Sequence, residues 1–177
     1  MERAKEIFLK YNGNHFYMDR NGDGYEYASY HVPKETEEIW AKEIISFFLE
    51  SKLYGKDALR SYAAVTELIK SDRQDSNWDK CLYVPLKSEE LDDVTTLYML
   101  PMSLKMAEKA VRKHTFSQKD ANAYIEELES YIRKVQDRLV KDGLTRAADY
   151  SEQEFSDPAY VTYYLNNLKS EWVGLFQ

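Results

Sequence analysis

Six glycines and four prolines punctuate 177 residues, and that scarcity limits the folds open to this chain more than any motif does. A fold of short strands needs frequent turns, and turns draw on Gly and Pro for their backbone angles. Long segments without a breaker suit helices. Through most of these segments apolar residues recur at steps of three and four, so the sequence predicts a mainly α fold. The expectation is a helical bundle-like domain of five to seven helices spanning 1–177, with a small N-terminal β-hairpin subdomain over residues 14–32.

The helices are read as follows. Ala4, Ile7, Phe8 and Tyr11 precede Gly13 and mark a first helix. Pro33 suits the first turn of a second, running to about Leu53 with Ile39, Trp40, Ile44, Phe47 and Phe48 as its apolar stripe. After Gly55 another segment buries Leu59, Tyr62, Val65 and Ile69. The short run Cys81 to Leu86 reads as extended chain or buried loop, since Pro85 opposes a central strand. Ser88 caps a helix from Glu89, which Pro101 breaks or kinks before it resumes toward His114. Ser117 and Asp120 form a variant capping box ahead of Ile125, Leu128, Ile132, Val135 and Leu139, a seam of under three heptads. A bundle helix is the preferred reading of that seam, and pairing with a second chain through Ile125–Leu139 is the alternative. Asp157 and Pro158 open a last helix carrying Val161, Tyr164, Leu165, Leu168 and Trp172.

The hairpin rests on Asn21-Gly22 and Asp23-Gly24, whose positive φ angles suit tight turns between the aromatic flanks His15 to Met18 and Tyr25 to Val32. A turn followed by a short helix through Tyr30 is its rival. The same stretch matches the first half of a calcium loop through Asp19, Asn21 and Asp23, with Glu26 leaning toward them, but Tyr30 stands where the bidentate glutamate belongs. A second spacing of this kind, Asp75, Asn77 and Asp79, has Leu86 at that position. Metal binding is therefore not the expectation, and Asp19, Asn21, Asp23 and Glu26 are the residues that would carry it. A hairpin would also bring His15 and His31 together across its strands.

A formal charge of −7 and a pI near 5.1 oppose binding to a phosphate backbone, which depends on lysines and arginines displacing counterions. No run approaches the ~20 apolar residues of a bilayer span, and the N-terminal residues are charged where a signal peptide is apolar. One cysteine, Cys81, excludes an intramolecular disulfide. These features predict a cytoplasmic protein that binds neither nucleic acid nor membrane. No glycine-rich phosphate loop or paired-histidine metal motif is present, so no catalytic set and no cofactor is expected.

Fifteen tyrosines are the compositional outlier. Tyr17, Tyr25, Tyr27 and Tyr30 crowd the hairpin region, and tyrosine joins broad contact area to a polar tip, as protein interfaces require. The expectation is a non-enzymatic partner of another protein, of an inhibitor, immunity-type or regulatory kind, acting through an acidic tyrosine-rich surface. The alternative is a divalent-metal-dependent enzyme or sensor using clustered carboxylates, either Asp19, Asp23 and Glu26 or the run from Glu89 to Asp93. The stretch from Phe8 to Arg20, continued by Val32 to Glu35 and Trp40, resembles the openings of small uncharacterised proteins of Gram-positive bacteria. The resemblance covers about the first quarter of the chain and implies no activity or site.

Overall fold

The structure is a computed structural model that describes residues 1–70, 78–113 and 115–175. Among the described residues are nine α-helices and no strand: α1 (Glu2–Lys10), α2 (His15–Arg20), α3 (Gly24–Ser29), α4 (Lys34–Glu50), α5 (Gly55–Lys70), α6 (Trp78–Lys87), α7 (Asp93–Arg112), α8 (Gln118–Lys141) and α9 (Pro158–Gly174). Asp75, Asn77 and His114 lie outside the described residues.

The mainly α expectation holds, and the nine described helices exceed the expected five to seven because α2, α3 and α6 lie where the sequence suggested a hairpin and an extended run or loop. The β-hairpin over 14–32 does not form. Gly22 has φ +88°, but it ends a helix rather than turning a strand. Its N–H bonds the Asp19 carbonyl at 3.2 Å while the Asp23 N–H reaches back to the Met18 carbonyl at 3.0 Å. These are the paired bonds of a left-handed C-terminal helix cap, which needs the same positive φ as a hairpin turn. Asn12 and Gly13 close α1 the same way, with Gly13 N–H on the Phe8 carbonyl at 2.8 Å. Gly24 serves a different purpose. A Cβ there would stand 1.8 Å from the Asp19 carboxylate and 2.9 Å from its Cα, so glycine is what lets α2 and α3 approach. The rival reading of residues 25–30, a turn followed by a short helix, is the one found.

The chain divides into two compact units, one of Met1–Ser51 with Ser61–Cys81, the other of Lys52–Arg60 with Leu82–Gln177. In the first, α1 packs on α3 and α4, and α2 on α3. Its core joins Ala4, Ile7, Phe8, Met18, Tyr27, Trp40, Ala41 and Leu68, with Phe8 meeting Trp40 edge-on at 5.4 Å between ring centroids. The stripe of α4 is turned from its expected line. Trp40, Ala41, Ile45 and Phe48 are buried, whereas Ile39 and Phe47 are 56% and 66% exposed. Ile39, Glu43 and Phe47 share one i, i+4, i+8 row, and the charge in its middle keeps that row at the surface.

In the second unit α9 packs on α8 and α7. Leu128, Ile132 and Val135 of the expected seam are buried there, beside Tyr124, which stacks on Trp172 at 3.9 Å. The capping box at Ser117 and Asp120 forms, and Asp157 caps α9 with Pro158 in its first turn. Helix α7 starts later than Ser88 would place it, because Asp92 accepts the Thr95 N–H at 3.0 Å and serves as the cap.

Both helix-internal prolines are tolerated by one device. Proline lacks the N–H that would bond the carbonyl four residues back. For Pro85 that carbonyl is Cys81, and the Tyr62 hydroxyl donates to it at 3.0 Å. For Pro101 it is Leu97, and the Tyr164 hydroxyl donates at 2.8 Å. The run from Cys81 is thus helix rather than extended chain, and α7 passes through Pro101 as one helix. Removing the hydroxyl in Tyr164→Phe leaves the Leu97 carbonyl without that donor and is expected to cost about 1–3 kcal/mol. Pro101→Ala restores an N–H to the same carbonyl, so chemical denaturation of the two single variants and the double variant should show Tyr164→Phe costing less in the alanine background.

Candidate functional site

The four tyrosines expected to bind are divided by the fold. Tyr25 is 95% exposed and Tyr17 is 47% exposed, the latter against the more accessible ring of Phe16 at 5.6 Å between centroids. Tyr27 is core, and its hydroxyl donates to Glu37 Oε1 at 2.6 Å. Tyr30 is half-buried and donates to Glu26 at 3.1 Å.

The oxygens of the calcium-like stretch do not converge. Asp23 accepts from Lys10 at 2.8 Å and from the Tyr11 hydroxyl at 2.7 Å. Glu26 accepts from Arg3 at 3.0 Å as well as from Tyr30. The Asn21 amide donates to the Tyr17 carbonyl at 2.7 Å, and Asp19 fills the space above Gly24. Among the described residues no three side chains of His, Cys, Asp or Glu are gathered as metal ligands. The other acidic run is also dispersed. Glu90 pairs with Lys52 at 2.9 Å, Asp92 caps α7, and Asp93 is buried, where it accepts from the N–H and the hydroxyl of Thr145, both at 2.9 Å, and also from Arg138. Asp93 thereby fixes the start of α7 to the segment that follows α8.

Two concavities lie in the first unit. One, of about 340 Å³, is lined by His15, Asp19, Tyr27, His31 and Glu37 among others. The two histidines do share a surface, though helices rather than paired strands bring them there, and His31 sits at φ +46°, an uncommon angle for a residue with a side chain. Glu37, only 7% exposed, accepts from Tyr27 and lies 3.1 Å from His15 Nε2. His15 also meets Tyr27 edge-on at 5.4 Å. This trio ties α2 and α3 to the first turn of α4. Glu37 and Tyr27 are its buried members and His15 its exposed one, and a satisfied buried carboxylate of this kind helps to specify a packing arrangement.

The other concavity, of about 500 Å³, lies between α1, α4 and α5. Leu9, Ile44, Phe47, Phe48 and Ala64 make it apolar, and Glu43 stands at its edge, bridged to Lys5 at 2.6 Å. Sequence reasoning assigned Phe47 to the core and so missed this groove. The glutamate placed between Ile39 and Phe47 in one helical row was the available signal. In the second unit the exposed rings of Tyr160 and Tyr163, at 52% and 65%, start α9. Tyr98 is held by Glu154 at 2.6 Å, which pushes the phenol up to about 12.

The ion pairs that fasten α1 have a pH signature. Hydrogen bonds from Lys10 and then Tyr11 hold Asp23 below its ordinary value of 3.8, and those from Arg3 and then Tyr30 hold Glu26 below 4.5. A carboxylate with a depressed folded-state pKa contributes stability above its ordinary value and loses it as pH falls through the lowered one. Melting temperature should therefore fall on acidification below about pH 4, and the double variant Asp23→Asn/Glu26→Gln should show a flatter dependence in that window. Because these pairs are exposed, raising salt should shrink the difference.

No helix among the described residues is long and apolar enough to cross a membrane. No protein-family model matches the chain, and no curated protein or solved structure shows significant similarity to it.

Proposed function

We propose that this chain works by binding another protein, as an inhibitor, immunity-type or regulatory partner rather than as a catalyst. One observation carries the reading: the first unit buries a complete aromatic core yet leaves Phe16, Tyr25, Ile39 and Phe47 each more than half exposed. Single exposed apolar side chains are ordinary on protein surfaces. A short stretch that presents four of them, two beside an apolar groove or on its helical row, is what association surfaces look like. The acidic balance adds a direction. Complementary fields raise association rates and select partners of opposite charge.

The tyrosine-rich face expected from composition narrows to Tyr17 and Tyr25, joined by Phe16. The metal-dependent alternative has no support in the placement of its carboxylates, which are occupied by lysine, arginine, tyrosine and backbone donors.

The test is capture from native-host extract at low and moderate salt with the full chain as bait, compared with Phe16→Ser/Tyr25→Ser and with Phe47→Ser. All three positions are exposed, so the variants should melt within a few degrees of the parent. The expected result is a defined protein retained by the parent and depleted at least several-fold by one of the variants. Retention of nothing in either salt, or of the same set by parent and both variants, would count against the reading.

A further inference from the structure

We infer that the groove between α1, α4 and α5 is a seat for one cationic amphipathic helix of a partner protein. This rests on the protein-binding reading and names the kind of partner.

The groove is lined mainly by side chains of the helices α1, α4 and α5, and no strand edge among the described residues is available to extend a sheet. Peptide recognition on such a surface uses the helix-in-groove mode, in which apolar side chains at i, i+3 or i+4 and i+7 enter the cleft. Leu9 and Phe47 flank the opening at 39% and 66% exposure, while Phe48 is 6% exposed, its ring tilted at 41° against Tyr62 at 5.5 Å between ring centroids. A firm floor with exposed apolar lips is ready for an incoming side chain without rearranging the core.

Charge decides between a partner helix and a second copy of this chain. Between Met1 and Ser51 there are six lysines and arginines against ten aspartates and glutamates, a formal balance of −4. Helix α4 alone carries five glutamates and two lysines. Glu43 stands at the groove beside Phe47, and Glu50 follows Phe47 by one turn on the exposed side of α4. Two copies meeting through this face would bring like charges within the ~8 Å screening length of physiological salt. A helix with an apolar stripe flanked by lysine or arginine would meet the same carboxylates favourably and displace Lys5 from Glu43 at little cost, since that bridge is exposed. The anchor is Phe47, and the flanking glutamates set the sign of the partner.

The experiment is fluorescence anisotropy of a labelled 18-residue peptide of leucine and lysine at helical spacing, about the length that spans five turns, titrated with the full chain. A peptide of the same pattern with glutamate for lysine is the control. The expected outcome is binding of the Leu/Lys peptide about ten-fold or more tighter than the control, and a weakening of similar size in Phe47→Ala and Leu9→Ser, which a hot-spot contact requires. Tyr25→Ala should leave it unchanged. Equal binding of the two peptides, or Leu/Lys binding that survives both groove substitutions, overturns the inference. So does a dimer in sedimentation that Phe47→Ala converts to monomer, because that result gives the groove to a second copy. If the peptide fails while a host protein is still captured through Phe16 and Tyr25, this inference alone falls. If nothing is captured either, the protein-binding reading falls with it.

Discussion

A chain built from helices must satisfy backbone groups at every helix end and at every internal proline, because a buried carbonyl or N–H without a partner costs about as much as the best single contacts contribute. Much of this structure is arranged around that requirement. Left-handed caps at Asn12-Gly13 and at Gly22 close α1 and α2, and side-chain oxygens of Asn14, Asp92, Ser117 and Asp157 accept N–H groups at the starts of α2, α7, α8 and α9. Tyrosine hydroxyls answer the two carbonyls orphaned by Pro85 and Pro101. These donors offset part of the cost of carrying prolines inside α6 and α7, and α7 keeps one continuous face that buries Leu97, Leu100 and Leu104.

The same accounting recasts the tyrosine excess. Many of the fifteen donate a hydroxyl to a fixed acceptor: Tyr62 and Tyr164 to carbonyls, and Tyr11, Tyr27, Tyr30, Tyr98 and Tyr131 to carboxylates. These phenols are buried or half-buried side chains that bring a donor to a fixed place, which suits a protein whose helices present many acidic groups near one another. What remains for the recognition proposed above is smaller and more defined than composition implied. It comprises an aromatic pair at Phe16 and Tyr17, the nearly free ring of Tyr25, and the groove lip at Phe47. An acidic chain gains little from self-association through such a surface and more from a cationic partner.

Helices α1, α4, α5, α7, α8 and α9 were legible because long periodic segments bounded by Pro33, Gly55, Ser117 and Pro158 leave few alternatives. The failure at residues 14–32 has a physical cause. Positive φ at Asn-Gly serves a type I′ turn and a helix C-cap equally, and neither six-residue helix is long enough to declare its period. Likewise Cys81 to Leu86 hid its helix because a proline normally signals its end, and the compensating Tyr62 lies 19 residues away along the chain. At the candidate surface, Tyr17 and Tyr25 were identified among the residues that stay exposed, whereas Tyr27 and the buried Glu37 it bonds were not foreseen as core.

Local sequence alone determined the helical class, the segments of α1, α4, α5, α7, α8 and α9 and the caps at Ser117 and Asp157, because each of these is settled largely by nearby residues in the chain, and composition alone set the acidic balance. Tertiary structure decided which apolar residues face inward, which carboxylates are engaged, and how the prolines are tolerated. Those outcomes depend on groups far apart in the chain meeting in space, as Glu37 meets His15 and Tyr27, Asp93 meets Arg138 and Thr145, and Tyr164 meets Leu97. A residue's periodicity states that a helix has an apolar side, but only the packing partner decides where that side ends, and Phe47 lies just beyond that edge.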